Sequence, residues 1–141
     1  GNAWSVVAVF EFDTTGTVIG KAGSASSSRT FHLYKSGGNV YVRLRGTQND
    51  LGGITTGSSH CVVITWDGTT AYAYVDGVKS SALSVGSASE ETSQNITIGS
   101  RTNGGGFYMN GAIAHIKFSD RALSDAEAAS AYSDAQSQWG V

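Results

Sequence analysis

Short segments whose side chains alternate between two faces are the feature that most limits what this chain can fold into. The first such segment is "AWSVVAVFEFD", and a strand there would place on one face Trp4, Val6, Ala8, Phe10 and Phe12. The opposite face is also apolar at Val7 and Val9, which indicates that the middle of this strand is covered on both sides. The segment therefore predicts a strand deep in a β-sheet domain.

The remaining pattern predicts an all-β domain with many turns. The chain has 141 residues, 19 Gly, no Pro and only 14% charged residues, a composition that favours strands and turns over a helical bundle. Residues 31–45 predict a hairpin that turns at residues 36–39, and residues 60–75 predict a second hairpin. Residues 46–58 show no periodicity and predict a loop. A capping box formed by Ser124 and Glu127 predicts one C-terminal helix.

Charge and cysteine content argue against several classes of function. The formal net charge is -2 and no Lys/Arg cluster occurs, so we expect neither nucleic acid nor an anionic membrane surface as a partner. No apolar run reaches the length of a membrane-spanning helix, so we expect no membrane partner. Cys61 is the single cysteine, and on a strand it is predicted to be a small buried apolar residue.

The order of motifs along the chain resembles the laminin-G-like branch of the concanavalin A-like lectin/glucanase jelly rolls. The resemblance is carried by "WSVVAVFE", "GTVIGKAG", "HCVVITWDG", "AYVDG", "ITIGS" and "NGAIAHIKFSDRALSDAE". No single motif is diagnostic, but together they follow the family's order over nearly the whole chain. The resemblance implies an antiparallel jelly-roll β-sandwich with one short C-terminal helix.

One departure from the family concerns the number of strands. The family's opening strand, which would precede Gly1, is missing, so we expect residues 1–141 to be a single domain from the C-terminal part of a longer chain. An earlier segment or a neighbouring subunit would then supply the missing strand, which favours an oligomeric assembly.

Two Asp-Gly pairs raise the question of a metal or sugar site. Asp67-Gly68 and Asp76-Gly77 each follow a predicted strand. Glycine accepts the positive φ of a tight turn, and an aspartate side chain can cap backbone amides there. We therefore interpret both pairs as turns of the scaffold.

Catalytic patterns are weak in this sequence. Glu11 and Asp13 would share one face of a strand, as paired glycosidase carboxylates do, but Thr15 stands where the wider jelly-roll class has a third acid. The three histidines are isolated, and no nucleophile motif accompanies them. We expect that the chain is not an enzyme, with a glycoside hydrolase ranked below the alternatives that follow.

Calcium is a cofactor that the resemblance suggests, because laminin-G-like domains often hold Ca²⁺ at the rim. Such a site needs six to eight oxygen ligands, mostly from loops. Asp50 is the candidate ligand, with Glu90 and Glu91 as further rim carboxylates. No spacing of acidic residues in the sequence specifies a calcium site. The alternative is that the chain binds no cofactor.

Sugar binding needs an aromatic surface for the ring's C–H face and planar amides or arginine for its hydroxyl groups. The segment "RTNGGGFYMN" has this composition, and its candidates are Arg101, Asn103, Phe107, Tyr108 and Asn110. Gln48 and Asn49 would add amides from the predicted loop. The alternative is a hairpin loop whose Phe107 and Tyr108 fold under the sheet.

A second candidate surface comes from two strands. Tyr41 and Arg43 would point to one face of "NVYVRLRG", and Tyr72 and Tyr74 to one face of "AYAY". If these strands are neighbours, their side chains form a surface suited to a glycan or a protein. An ordinary solvated outer face explains the pattern equally well.

The function that the resemblance implies is non-catalytic recognition of a glycan or surface polysaccharide. The setting would be a phage virion (tail, fibre or capsid decoration) or a secreted surface protein with a role in adhesion, located outside the cell or on the virion surface. The alternative is a purely structural module that packs against neighbouring virion or surface-protein subunits.

Overall fold

The computed structural model describes residues 2–22, 29–90, 93–101 and 106–141. Within those ranges the chain forms ten strands and one helix. They are β1 (Trp4–Phe12), β2 (Gly16–Ala22), β3 (Arg29–Ser36), β4 (Asn39–Leu44), β5 (Thr47–Gly53), β6 (Ser59–Trp66), β7 (Ala71–Val75), β8 (Val78–Lys79), β9 (Thr97–Ile98), β10 (Gly111–Ser119) and α1 (Asp125–Trp139).

The strands form two five-stranded sheets. Within each sheet, the pairings of neighbouring strands that the structure describes are antiparallel. The chain divides into two compact units. The first unit comprises Gly1–Glu11, Ser58–Leu83 and Ile113–Val141, and the second comprises Phe12–Gly57 and Ser84–Ala112. The predicted all-β class with one short C-terminal helix is confirmed.

The first unit contains the sheet β10-β1-β6-β7-β8 and the helix α1. Strand β1 pairs with β6 from Trp4 to Glu11, so that Val7 lies opposite Val63 and Val9 opposite Cys61. These four side chains are buried in one cluster with Ala128 and Ala135 of α1. The helix of the same chain therefore covers one face of β1, while Val6, Ala8 and Phe10 are buried on the other face. The predicted burial of both faces of this strand is confirmed.

The helix begins where the sequence predicts. Ser124 Oγ accepts a hydrogen bond from the Glu127 backbone N–H, and the Glu127 carboxylate accepts one from the Ser124 backbone N–H. This reciprocal pair is the predicted capping box. The helix ends at Gly140, whose φ of 66° closes the last turn.

Among the described residues, no helix has both the length and the apolar character that a bilayer crossing requires.

The second unit contains the sheet β5-β4-β3-β2-β9. Its β3–β4 hairpin turns at Gly37-Gly38 as predicted, and Ser36 pairs with Asn39. The prediction of a loop over residues 46–58 is wrong, because residues 47–53 form β5 and pair with β4. This strand escaped detection because it is a partly exposed edge strand of polar residues, which shows no apolar alternation.

The two Asp-Gly pairs form turns in different ways. Asp67 Oδ1 accepts hydrogen bonds from the backbone N–H groups of Thr69 (2.7 Å) and Thr70 (2.6 Å), as predicted, and these bonds lower the pKa of Asp67. Asp76 also lies in a turn, with a φ of 48°, but its side chain does not cap that turn. Its carboxylate accepts the Cys61 backbone N–H at 2.8 Å and contacts His60 Nδ1 at 2.7 Å, tying the turn to β6.

Candidate functional site

One face of the second sheet gathers aromatic and polar side chains. Burial alternates along β4, where Val40, Val42 and Leu44 are buried and the residues between them are less so. The register places Tyr41 opposite Tyr34 of β3 and Arg43 opposite Gln48 of β5. Directly paired residues point to the same face of a sheet. We name this surface the aromatic face and define it by its residues Tyr34, Tyr41, Arg43, Gln48 and Phe107.

The rings of the aromatic face form a row. Tyr34 stacks on Tyr41 with the ring centroids 5.5 Å apart, and it stacks on His32 at 4.5 Å on its other side. Phe107 meets Tyr34 edge to face at 5.8 Å. Such stacked and edge-to-face arrangements are favourable geometries for aromatic pairs. His32 and Tyr34 are buried, whereas Tyr41 is half-buried, so Tyr41 is the most accessible ring of the stack.

Phe107 is held in an unusual backbone conformation. Its φ is 50°, a left-handed value that bulky residues rarely adopt. The Phe107 carbonyl accepts the Thr17 backbone N–H at 3.1 Å, and Asn110 N–H donates to the Thr15 carbonyl at 3.0 Å. These bonds tie the segment to β2 and its preceding turn. They keep the Phe107 ring in contact with Tyr34 despite the backbone strain.

Gln48 organises the polar part of the aromatic face. Its Oε1 accepts hydrogen bonds from the Tyr34 hydroxyl and from Arg43 Nη2, the latter at 2.8 Å. Because both partners are donors, the amide orientation is determined and its NH₂ group points away from them. Arg43 Nη1 donates to the Gly46 carbonyl at 3.3 Å. The Gln48 amide and one further N–H on each terminal nitrogen of Arg43 are therefore donors available to a ligand.

The predicted residues are only partly brought together. Tyr41, Arg43, Gln48 and Phe107 meet on the aromatic face. Asn49 does not, because it pairs with Val42 and so lies on the opposite side of the sheet, where its amide hydrogen bonds to both backbone groups of Ser84.

The other residues predicted in the glycine-rich segment have separate positions. Arg101 is half-buried, and its backbone N–H donates to the Gly106 carbonyl. Tyr108 is 64% exposed and Asn110 is exposed, so the alternative in which both aromatic residues fold under the sheet is wrong for Tyr108. Asn103 lies outside the described residues.

Tyr72 and Tyr74 are not part of this surface. Their strand, β7, belongs to the first sheet and pairs with β6 and β8, so the predicted neighbourhood with Tyr41 and Arg43 is wrong. The Tyr74 hydroxyl donates to Asp125 of α1, and the Lys79 ammonium lies 4.1 Å from the centre of the Tyr72 ring. Both tyrosines pack where the helix meets its own sheet.

Asp50 has a structural partner of its own. Both of its carboxylate oxygens accept hydrogen bonds from Asn39 Nδ2, at 3.0 and 2.8 Å, and Oδ1 also accepts the Gly52 backbone N–H. In the part of the chain that the structure describes, no group of three or more His, Cys, Asp or Glu side chains is arranged to hold a metal ion. Of the other two rim carboxylates, Glu90 is exposed and Glu91 lies outside the described residues.

Tyr34 and His32 are the residues that the sequence analysis missed. The signal that could have found them is the two-residue turn at Gly37-Gly38. With Ser36 opposite Asn39, simple counting places Tyr34 opposite Tyr41 and His32 opposite Arg43. The contribution of Phe107 could not be counted in this way, because it comes from a distant loop.

Comparison with known proteins identifies the fold. The model of the Laminin_G_3 family, described as the concanavalin A-like lectin/glucanases superfamily, matches residues 2–129. No curated protein sequence is significantly similar to the chain.

Three solved structures illustrate the similarity. A Trypanosoma rangeli sialidase superposes with a TM-score of 0.74 at 15% identity, covering 97% of this chain and 23% of the sialidase chain. A mutant of NanB sialidase from Streptococcus pneumoniae gives 0.69 at 20% identity, covering 92% and 24%. The native heptameric SAP-like pentraxin from Limulus polyphemus gives 0.63 at 18% identity, covering 91% and 70%. At these identities the likeness establishes the fold, and the predicted concanavalin A-like jelly-roll class is confirmed.

The same structures correct one expectation. The prediction that the chain is not an enzyme is wrong, because this fold occurs within sialidase chains. The present chain spans 23% and 24% of the two sialidase chains compared above, so the similarity concerns about a quarter of each enzyme. Glu11 is half-buried on β1, and Asp13, which follows the strand, is exposed. The absence of a third acidic residue at Thr15 does not exclude an enzyme.

Proposed function

Because this chain belongs to the Laminin_G_3 family of the concanavalin A-like lectin/glucanase superfamily, we propose that it binds carbohydrate through the aromatic face. The observation that carries the proposal is the half-buried Tyr41 ring beside the available donors of Arg43 and Gln48. A sugar ring presents an apolar C–H face and a rim of hydroxyl groups, and this surface offers a partner for each.

The aromatic face is preorganised for this task. The Tyr34 ring stacks on Tyr41 from the neighbouring strand, and its hydroxyl donates to Gln48, which also accepts a hydrogen bond from Arg43. A ligand would not have to order these side chains when it binds. Prior ordering saves roughly 0.5–1.5 kcal/mol per immobilised side chain.

The biological setting is a further part of the proposal. We place the domain in a longer chain that acts outside the cell or on a virion surface, where it attaches to a glycan or surface polysaccharide. The similarity to parts of sialidase chains supports a setting in which this domain is joined to a catalytic domain and binds that enzyme to glycans on a surface. A phage tail, fibre or capsid decoration, with a role in adhesion, is the setting that we propose for a chain without such a neighbour.

A glycan array with the purified domain tests the proposal. We expect a limited set of glycans to be retained, and we expect the variants Tyr41→Ala and Arg43→Gln to lose that signal. Loss of one stacking ring or one charge-assisted hydrogen bond should weaken binding by roughly tenfold. Repeating the array with EDTA would reveal whether calcium takes part.

Two controls make the result interpretable. Phe118→Ala removes a partly exposed aromatic residue of the first unit, and Lys21→Gln removes a cation from a neighbouring part of the second sheet. Both should retain the wild-type array pattern. Absence of binding by the wild-type protein, or equal loss in the control variants, would contradict a site at the aromatic face.

A structural role in an assembly is the second candidate. Two observations favour it: one of the similar structures is a heptameric pentraxin, and Val78 (72% exposed) and Phe118 (43% exposed) are apolar side chains on the surface of the first unit. Light scattering coupled to size-exclusion chromatography would detect self-association. A concentration-independent monomer that binds glycans would rule against this candidate for the isolated domain.

A further inference from the structure

The first unit contains a cavity of about 390 Å³ beside the helix α1. Val7 and Val9 of β1 contribute apolar lining, and Leu123 and Ala131 add to it. Every residue that lines the cavity belongs to the first unit, and none belongs to the aromatic face. A cavity of this size falls within the range of small-molecule sites.

The strand side of the cavity is basic and aromatic. His115 and Lys117 of β10 are two residues apart and therefore point to the same face of the strand. The His115 ring stacks on Trp139 of α1 with the centroids 5.0 Å apart and the planes inclined by 23°. The stacked pair gives the cavity an aromatic side, on the same face of β10 as Lys117.

The helix side of the cavity is polar. Ser130, Asp134 and Gln138 follow one another at four-residue intervals, which places them on one stripe of α1. Their side chains offer a hydroxyl, a carboxylate and an amide. This combination can accept from and donate to several hydroxyl groups of one ligand.

The charges that line the cavity differ in whether they already have partners. Arg121 donates to both oxygens of Glu127, at 2.9 and 2.5 Å, so these two charges neutralise each other. Lys117 and Asp134 have no ion pair with any described residue. The cavity therefore presents one unmatched cation on the strand side and one unmatched carboxylate on the helix side.

We propose that this cavity is a second binding site, for a small polyhydroxylated carboxylate of the acidic-sugar class. Lys117 pairs with the ligand carboxylate, and Asp134, Ser130 and Gln138 take its hydroxyl groups. The C–H surface of the sugar ring lies against the His115–Trp139 pair. The acidic class fits better because only a ligand carboxylate can form an ion-paired hydrogen bond with the Lys117 ammonium.

This site is independent of the aromatic face, so each of the two proposals can fail without the other. The test is a titration of the ¹⁵N-labelled domain with sodium glucuronate, followed by amide chemical shifts, with glucose as the neutral probe. We expect saturable shifts of amides in 115–117 and 130–139. We expect glucose to bind roughly tenfold more weakly or not at all.

Variants locate the interaction. Lys117→Gln should weaken glucuronate binding by roughly tenfold or more. Lys117 is exposed, so the fold should persist, and the amide spectrum of the variant verifies this directly. Lys21→Gln removes a lysine of the other unit, so it should leave the titration unchanged.

Three results would overturn the proposal. One is the absence of glucuronate shifts at 115–117 and 130–139. Another is a response to glucuronate that Arg43→Gln abolishes and Lys117→Gln leaves intact, which would place the ligand on the aromatic face. The third is equal affinity for glucose and glucuronate, which would contradict the acidic class of ligand.

Discussion

The Tyr74 hydroxyl of β7 donates a 2.5 Å hydrogen bond to Oδ1 of Asp125, the first residue of α1. Lys79 Nζ donates to the same oxygen at 2.8 Å. The Lys79 bond, followed by the Tyr74 bond, lowers the pKa of Asp125, while burial and the Asp125 contact raise the pKa of Tyr74. One carboxylate thus joins the start of the helix to two adjacent strands.

We expect Tyr74→Phe to destabilise the domain by about 1–2 kcal/mol. The substitution keeps the buried ring and removes only the hydroxyl that bonds to a charged acceptor. The free energy of unfolding, measured in urea, tests this expectation. Tyr132→Phe is the matched control, because its hydroxyl accepts only a 3.2 Å bond from Gln136 on the exposed side of the helix. Equal effects of the two substitutions would contradict an anchoring role for the Tyr74 bond.

Stability should depend on pH through Glu127. Hydrogen bonds from Arg121, and then from the Ser124 backbone, lower the pKa of Glu127 from 4.5 to about 2. A carboxylate with a depressed folded-state pKa stabilises the protein above its unfolded-state pKa and loses that contribution as the pH falls through the folded value. The urea midpoint should therefore decline between pH 4.5 and about 2.

Glu127→Gln should reduce the slope of that decline. Glu90→Gln, which removes an exposed carboxylate without an ion pair among the described residues, is the control and should keep the wild-type slope. An identical pH profile for Glu127→Gln and the wild-type protein would show that the capping box and its arginine partner contribute nothing to acid stability.

Cys61 should be unreactive in the folded protein. Burial, with a smaller contribution from the Asp76 charge, raises the pKa of its thiol to about 12. Only the thiolate is an effective nucleophile, so modification by a thiol reagent at pH 8 should be very slow without denaturant. Complete and rapid modification in concentrated urea is the positive control. Rapid modification of the native domain would mean that β6 is accessible at this position.

Gly16→Ala should destabilise the domain and disturb the aromatic face together. Gly16 has a φ of 133°, and an added Cβ would lie 2.2 Å from the Tyr108 backbone oxygen. The clash would push residues 107–109 away from β2, which should cost more than about 1 kcal/mol of unfolding free energy. Gly38→Ala is the control, because no atom lies within 4 Å of its added Cβ. We expect weaker glycan retention for Gly16→Ala only.

Much of the fold follows from local patterns in the sequence. The alternation in residues 4–12, the Gly37-Gly38 turn and the Ser124–Glu127 capping box each act over fewer than about ten residues, so the sequence alone predicts them. The two apolar faces of β1 also predicted that Val7 and Val9 pack against another element. The sequence pattern could not show that this element is helix α1 of the same chain.

Long-range pairing decided the rest. The sequence supplied Tyr41 and Tyr72 as equally good surface tyrosines, and only the strand order placed one on the aromatic face and the other beneath α1. The polar strand β5 exists because β4 offers it backbone partners, a contribution that its own side chains do not encode. Side-chain alternation specifies which residues share a face, whereas neighbouring strands are chosen by the packing of the whole domain. The aromatic face and the α1 cavity are therefore properties of the tertiary structure.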